Sequence, residues 1–528
     1  MTVRRRLLAA ATVLAVVAAT LHAAPAQAVG PALLPVTVTN NTGRSDAVHL
    51  YVIGIQLASN RLGYVTANGA FVPWTGGQIP PAPAPDAAIP GPANGGSTTI
   101  QFPRGFSGRV YFSFGDKLKF FLTPDGLVQP APWAAGDANR DILFDWSEFT
   151  YNDAGLWLNS SQVDMFAVPH AVTVTGAGGA TRRTGDLVAG GRNAVIDGIR
   201  SQPGWANTVH TRSDGTVLRV LAPGKAAGAG LLSPTYLDSY IASAWNAYTT
   251  RTLTVVPFAD QPTIRYYGRT SGNTMTFTNG AGQVVASFNR PSSASVWGCD
   301  GDLPAPNDQV VGPISRTLCA ALNRGTLGTI DTQPSTNPAD FYRSSPTNQY
   351  ARLVHANMVD GKAYAFAFDD VGGFESLVHD GDPRAAGLIL SPFGGGGGTP
   401  GAGVAVVSNW NNKCIDVPGA NFVDRAQLQT WTCNGTTAQQ WTFDGTAVRS
   451  QNDKCMDVDG GATGNGAVVQ LYTCNGTGAQ QFTLNAVGDL VNLRANRCVD
   501  IKDWNGADGA KLQLWDCAGS ANQKWRTG

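Results

Sequence analysis

Asp141–Val174 reads DILFDWSEFTYNDAGLWLNSSQVDMFAVPHAVTV, and the fold and chemistry of the chain turn on this stretch. It places Asp141, Asp145, Glu148, Asp153 and Asp164 among Phe144, Trp146, Tyr151, Trp157 and Phe166. The whole sequence holds two glutamates, Glu148 and Glu375, so one of them stands in the most aromatic and acidic segment. Carboxyls beside rings suit the cleavage of glycosidic bonds. One carboxyl protonates the leaving oxygen, and a second activates water or attacks carbon. Flat rings offer apolar faces to sugar C–H groups.

Glu148 and Asp164 are 16 residues apart. That gap fits two antiparallel strands joined by the turn-rich NDAG at Asn152–Gly155. Alternation would point Glu148, Thr150 and Asn152 one way along the first strand, and Asp164, Phe166 and Val168 one way along the second. Two carboxyls and polar helpers would then share a concave surface. Each Asp of the stretch can also be read as a turn cap facing solvent. Glu148 fits that reading less well, because Glu is poor in turns and its neighbours are Trp, Phe and Thr.

The segment DWSEFTYN…WLNSSQVDMFAVP resembles the active-site segment of glycoside hydrolase family 64, the laminaripentaose-producing β-1,3-glucanases. The likeness extends over about Leu34–Leu390, from VTVTNNTGRSDAVHLYVIG to VGGFESLVHDGDPRAAGLIL. It implies an inverting endo-acting β-1,3-glucanase with Glu148 as general acid and Asp164 as general base. It implies substrate contacts at Thr150, Asn152 and Trp157, and a thaumatin-like β domain. Two other readings remain at this point: a non-catalytic thaumatin-like glucan-binding lectin, and a hydrolase of another polysaccharide.

Outward from this stretch, Met1–Ala28 reads as a secretory signal: Arg4–Arg6, the apolar run Leu7–Leu21, and a small-residue cleavage site at Ala26–Ala28. The general secretory and twin-arginine routes both fit. The destination is expected to be extracellular. At 528 residues the chain needs more than one core. Charged residues make up 14% and formal net charge is zero, so nothing suggests a nucleic-acid or membrane partner. We expect a mainly β chain that works as a monomer on β-1,3-glucan without a cofactor or metal.

The catalytic part is expected to span residues 29–393, with a β domain at about 33–185 and 340–392 and an α/β portion at about 186–339. A groove between these parts would hold the glucan. VTVTN, AVHLYVIGI, STTIQF, GRVYFSF, KLKFFLT and AVTVT read as strands, and PPAPAPDAAIPGP as a proline-rich loop. VAGGRNAVIDGIRSQ, TYLDSYIASAWNAYTTR and ISRTLCAALNRG read as helices, with TLTVVPF and TMTFTN as strands between them. YARLVHANM and AYAFAFDD read as further strands. Cys299 and Cys319 read as a disulfide or as two buried thiols. A second acidic group, Asp369, Asp370, Glu375, His379, Asp380 and Asp382, lacks recognised metal-binding spacing and reads as structural or peripheral to the groove. His170 reads as a satisfied structural histidine.

GGGGGTPGAG at residues 394–403 is a linker by composition. Residues 404–528 repeat. Cys414–Cys433, Cys455–Cys474 and Cys498–Cys517 each span 19 residues. Each unit carries C-x-D, then Q-x-[aromatic]-x-C, then Q-x-[aromatic], which reads as three lobes with one bridge each. The units are similar to ricin B-type β-trefoil lectins and carbohydrate-binding module family 13. That resemblance implies a core role for Trp441, Phe482 and Trp525. It implies a complete third sugar site at Asp500, Gln513, Trp515, Asn522 and Gln523. The first site would use Asp416, Gln429, Trp431 and Gln439, and the second Asp457, Gln470, Tyr472 and Gln480. Ala438 and Ala479 stand there in place of the third site's asparagine.

Overall fold

The computed structural model describes residues 30–527 apart from 125, 189, 394–403, 445, 451–453 and 486. The expected secretion signal and Gly-rich linker lie outside the described residues. The chain divides into two compact units, one ending at Pro392 and the other beginning at Phe393.

In the first unit the short β-branched and aromatic runs pair into two sheets. One takes the strands 181–184, 170–176, 383–390, 33–40 and 97–103 in that order. The other runs 377–380, 155–160, 143–152, 106–114, 48–56, 61–65 and 71–73. Their inner faces meet. Phe102 of the first sheet stacks on Phe149 of the second, with ring centres 3.7 Å apart and planes 9° from parallel. Phe112 meets His170 edge to face at 4.9 Å. The proline-rich loop contributes only two-residue strands, Ala82–Pro83 and Ile89–Pro90.

Leu143–Asn152 is central in its sheet and is buried along nearly its whole length. Its odd positions, among them Phe149 and Tyr151, enter the sandwich core. Phe144 and Trp146, on the opposite face, join Tyr51 and Tyr111 in a second core with Val195, Ile199, Tyr240, Trp245 and Leu318. The α/β portion therefore covers one end of the outer face, while Glu148 beyond Trp146 is only partly buried. Truncating a buried ring such as Trp146 costs on the order of 3–5 kcal/mol, so this seam is well fixed.

The helices Gly191–Arg200, Asp238–Ala247 and Val311–Asn323 fall where apolar spacing put them. Cys299 and Cys319 are bonded, tying a short helix to the last of these. Two of the expected strands do not form. YARLVHANM is not a strand: Gln349–Ala356 is helical. The Asn348 side chain accepts from the Ala351 N–H and caps the helix, while Tyr350, Ala351 and Val354 share its buried face. AYAFAFDD is mostly turn, and only Tyr364 makes a bridge, with Ser161. The Asp369 carboxylate accepts from the Ala365 N–H at 2.9 Å and folds this run back on itself.

In the second unit three lobes share one core of Ile415, Met456, Val499, Trp441, Phe482 and Trp525, among others. Each lobe has its bridge, Cys414–Cys433, Cys455–Cys474 and Cys498–Cys517. The Trp441 and Trp525 ring N–H groups donate to the Ile415 and Val499 carbonyls at 2.9 Å. The lobes are also laced together at the surface. Asp424 of the first accepts from the Thr473 N–H at 2.7 Å and pairs with Lys454 of the second. Asn465 of the second accepts from the Asp516 N–H of the third at 2.8 Å. Asp508 of the third accepts from the Thr432 N–H of the first at 2.7 Å and pairs with Lys413.

Candidate active site

The expected hairpin forms. Leu143–Asn152 pairs antiparallel with Gly155–Ser160 through the NDAG turn, with Thr150 opposite Trp157 and Glu148 opposite Asn159. Asp164 is not on that second strand. It lies past its end, in a bend leading to Met165–Phe166, and its carbonyl accepts from the Ala222 N–H at 3.0 Å. Met165 and Phe166 then pair with Leu221 and Val220. The sequence spacing was right about proximity and wrong about the element. Phe166 and Val168 are fully buried and do not line an open face.

Arg109 joins the two carboxyls. It stands opposite Glu148 on the neighbouring strand. Its Nε and Nη2 lie 3.0 and 2.9 Å from Glu148 Oε1, and Nη2 also lies 3.6 Å from Asp164 Oδ2. One nitrogen within reach of both oxygens keeps them no farther apart than its two distances end to end. The guanidinium lies over the Trp146 ring at 4.6 Å. Burial opposes its charge, but Tyr111, Glu148 and Asp164 outweigh burial and hold its pKa above the ordinary value.

Asp164 has a second cation. Lys225 Nζ is 3.1 Å from Asp164 Oδ1 and 4.4 Å from the centre of the Trp133 ring. Glu148 shares one cation, whereas Asp164 shares that one and has another. Neither Arg109 nor Lys225 was singled out from sequence. An arginine inside the apolar run GRVYFSF was a legible signal for the first. Lys225, in PGKAAG, carried none.

Thr150 is buried, and its hydroxyl lies 2.7 Å from that of Ser107. Asn152 sits at the hairpin tip, and its Oδ1 accepts from the Ala154 N–H at 2.8 Å. Trp157 is partly exposed and stacks on His379, with centres 4.2 Å apart and planes 18° from parallel. The His379 ring also contacts the Leu156 carbonyl at 2.9 Å through Nδ1, which fixes the platform behind Trp157. His379, Arg182, Lys362 and Glu375 line a neighbouring cavity of about 340 Å³. Burial pushes the Glu375 carboxyl up to about 7.

The second acidic group does not act as one cluster. Asp369 is buried between Arg324 at 3.0 Å and His355 at 2.8 Å. Asp382 pairs with Arg384. Among the described residues, no group of three His, Cys, Asp or Glu side chains could hold a metal ion. Nor is any described helix long and apolar enough to cross a membrane. His170 is only half satisfied. Nδ1 meets the Val168 carbonyl at 2.8 Å, Nε2 has no partner, and burial pushes its pKa down to about 4.

In the trefoil each C-x-D carboxylate is braced by glutamines. Asp416 accepts from Gln429 and Gln439 at 2.9 and 3.2 Å, and Asp457 from Gln470 and Gln480 at 3.0 Å each. Asp500 accepts from Gln513 and Gln523 at 3.0 Å and also from Asn522 at 2.7 Å. Trp431 and Trp515 stand exposed above the first and third carboxylates' strands, and Tyr472 is partly buried.

An open-faced sandwich with paired carboxyls, joined to a three-lobed sugar-binding module, defines a glycoside hydrolase with an appended lectin. Residues 32–390 match the glycoside hydrolase 64 profile, described as Beta-1,3-glucanase, and the chain belongs to that family. Residues 402–525 match the ricin-type beta-trefoil lectin domain. The chain is 47% identical over 443 residues to the glucan endo-1,3-beta-glucosidases of Arthrobacter sp. (strain YCWD3) and of Cellulosimicrobium cellulans, covering 80% of each chain. Among solved structures, a laminaripentaose-producing beta-1,3-glucanase in complex with laminaritetraose matches with a TM-score of 0.67 and 55% identity, covering 69% of this chain and 99% of that one. These likenesses set aside the non-catalytic reading and the reading as a hydrolase of another polysaccharide.

Proposed function

We propose that this chain is a secreted, inverting endo-β-1,3-glucanase that cuts laminarin, curdlan or fungal cell-wall glucan into short laminari-oligosaccharides. Glu148 protonates the bridging oxygen. Asp164, supported by Arg109 and Lys225, holds the attacking water as general base. Trp157, braced by His379, stacks against a sugar ring, and Thr150 and Asn152 shape the surface beside it. The β part is thaumatin-like, with boundaries at about 33–185 and 340–392, and the groove lies against the α/β portion at about 186–339. A signal at 1–28, a linker at 394–403 and a lectin at 404–528 complete a monomer. The lectin raises the local concentration of the enzyme on an insoluble polymer.

The observation that carries this reading is the single guanidinium bridging Glu148 and Asp164 at the partly covered outer face. Its test is digestion of curdlan, with products separated by length and the new anomer followed by NMR from the first turnover. Release of α-anomeric oligosaccharides is expected. β-Anomeric product would overturn inversion, and no product at all would overturn the catalytic assignment.

A further inference from the structure

After C-x-D, all three lobes make the same turn with two successive residues at positive φ. The first lobe uses Gly419 and Ala420 at 61° and 53°, and the second Gly460 and Gly461 at 60° and 64°. The third places Asp503 and Trp504 there, at 56° and 51°. The left-handed region disfavours a side chain, most of all a large one. Yet the third lobe carries its bulkiest residue at that position. Such outliers persist where the surroundings use them.

The position of Trp504 indicates the use. The residue is 51% exposed, although indole is costly to leave in water. Trp410 meets it edge to face at 5.3 Å and 87°, fixing its plane. The turn packs against the strand Ala510–Trp515, which carries Gln513 and the exposed Trp515. This lobe is also the one whose carboxylate has the added donor Asn522, which further accepts a bond from Ser520 Oγ at 2.8 Å and donates to the Ile501 carbonyl at 3.2 Å. The first and second lobes have neither a second indole at the turn nor the asparagine.

We propose that Trp504, backed by Trp410, is a second sugar-stacking platform. The third lobe then binds two successive rings of a β-linked glucan chain, one at Asp500 and Trp515 and the next on Trp504. This rests on reading the C-terminal unit as sugar-binding. The lobe would prefer an oligosaccharide to a single sugar, as a module that must find a polymer requires.

The test uses the full chain with Glu148→Gln, so that ligand survives. It is titrated with glucose, laminaribiose and laminaritetraose. Indole N–H signals of Trp504 and Trp515 are followed by NMR, assigned with Trp504→Gly and Trp515→Phe. Laminaritetraose should move both signals and glucose only that of Trp515. Trp504→Gly, which relieves the backbone, should weaken tetraose affinity at this lobe about fivefold and leave glucose affinity unchanged. It should not lower the melting temperature of the unit. If Trp515 responds while Trp504 stays still, or if Trp504→Gly binds tetraose as before, the second platform is overturned. If Asp500→Ala leaves both responses intact, the lectin reading itself falls, and this inference with it.

Discussion

Arg109 and Glu148 face each other across adjacent strands, and the guanidinium reaches the carboxylate through both Nε and Nη2 while Nη2 also approaches Asp164. The two carboxyls come from elements that do not pair, and this side chain links them. Arg109→Lys keeps the charge but loses the fork. We expect kcat on laminarin to fall at least about 100-fold in that variant while binding of laminaritetraose persists, because a misplaced pair costs chiefly the chemical step. Steady-state kinetics with calorimetric binding would check this; an unchanged kcat would remove Arg109 from the mechanism.

Glu148→Gln preserves shape and removes the proton. Hydrolysis of both laminarin and curdlan should drop by about 100-fold or more, with glucan binding retained. Reducing-sugar release alongside a pull-down on curdlan gives both numbers.

Lys225 is the cation that Asp164 does not share with Glu148. Lys225→Met should lower kcat on laminarin about tenfold, and Lys225→Arg should restore most of it, because the cation holds Asp164 in place. An unchanged kcat would mean the lysine serves packing on Trp133 alone.

Asp369 gives a stability prediction. Its burial raises its pKa, but His355 and Arg324 outweigh that and hold it below 3.8. Burial alone would lower the His355 pKa, but Asp369 raises it above 6.5. The Asp contribution is present above 3.8 and is lost as pH falls through the depressed value. The His contribution is present below 6.5 and is lost as pH rises through the elevated value. Calorimetry of the first unit should therefore show greatest stability in the window between them. Asp369→Asn should cost about 3–5 kcal/mol there, since it strands Arg324 in the interior.

Disabling the lobes one at a time should rank them. Asp500→Ala should weaken retention on curdlan more than Asp416→Ala or Asp457→Ala, because its site holds the extra donor Asn522. Equal losses from all three would argue that the asparagine is irrelevant.

Much of this was legible in the chain itself. Alternating β-branched runs marked Val48–Gln56 and Phe106–Phe114, and three spaced cysteine pairs marked the lobes. Glu148 stood out because glutamate is rare here. What escaped detection depended on distant partners. YARLVHANM has strand-like composition, and only the Asn348 cap and a buried face made it helical. Asp164 fell off its expected strand because Met165–Phe166 pairs instead with residues more than fifty positions later. Lys225 arrives from that same distant segment. Local pattern can place an element, but a salt bridge between remote segments leaves no local trace.

The fasteners at Asp424, Asn465 and Asp508 run from first lobe to second, second to third, and third back to first. A closed ring of this kind has no weakest end at which to start peeling. Tension from a polysaccharide gripped at a single lobe would pass around the whole circuit, so the module should stay anchored or release as one piece.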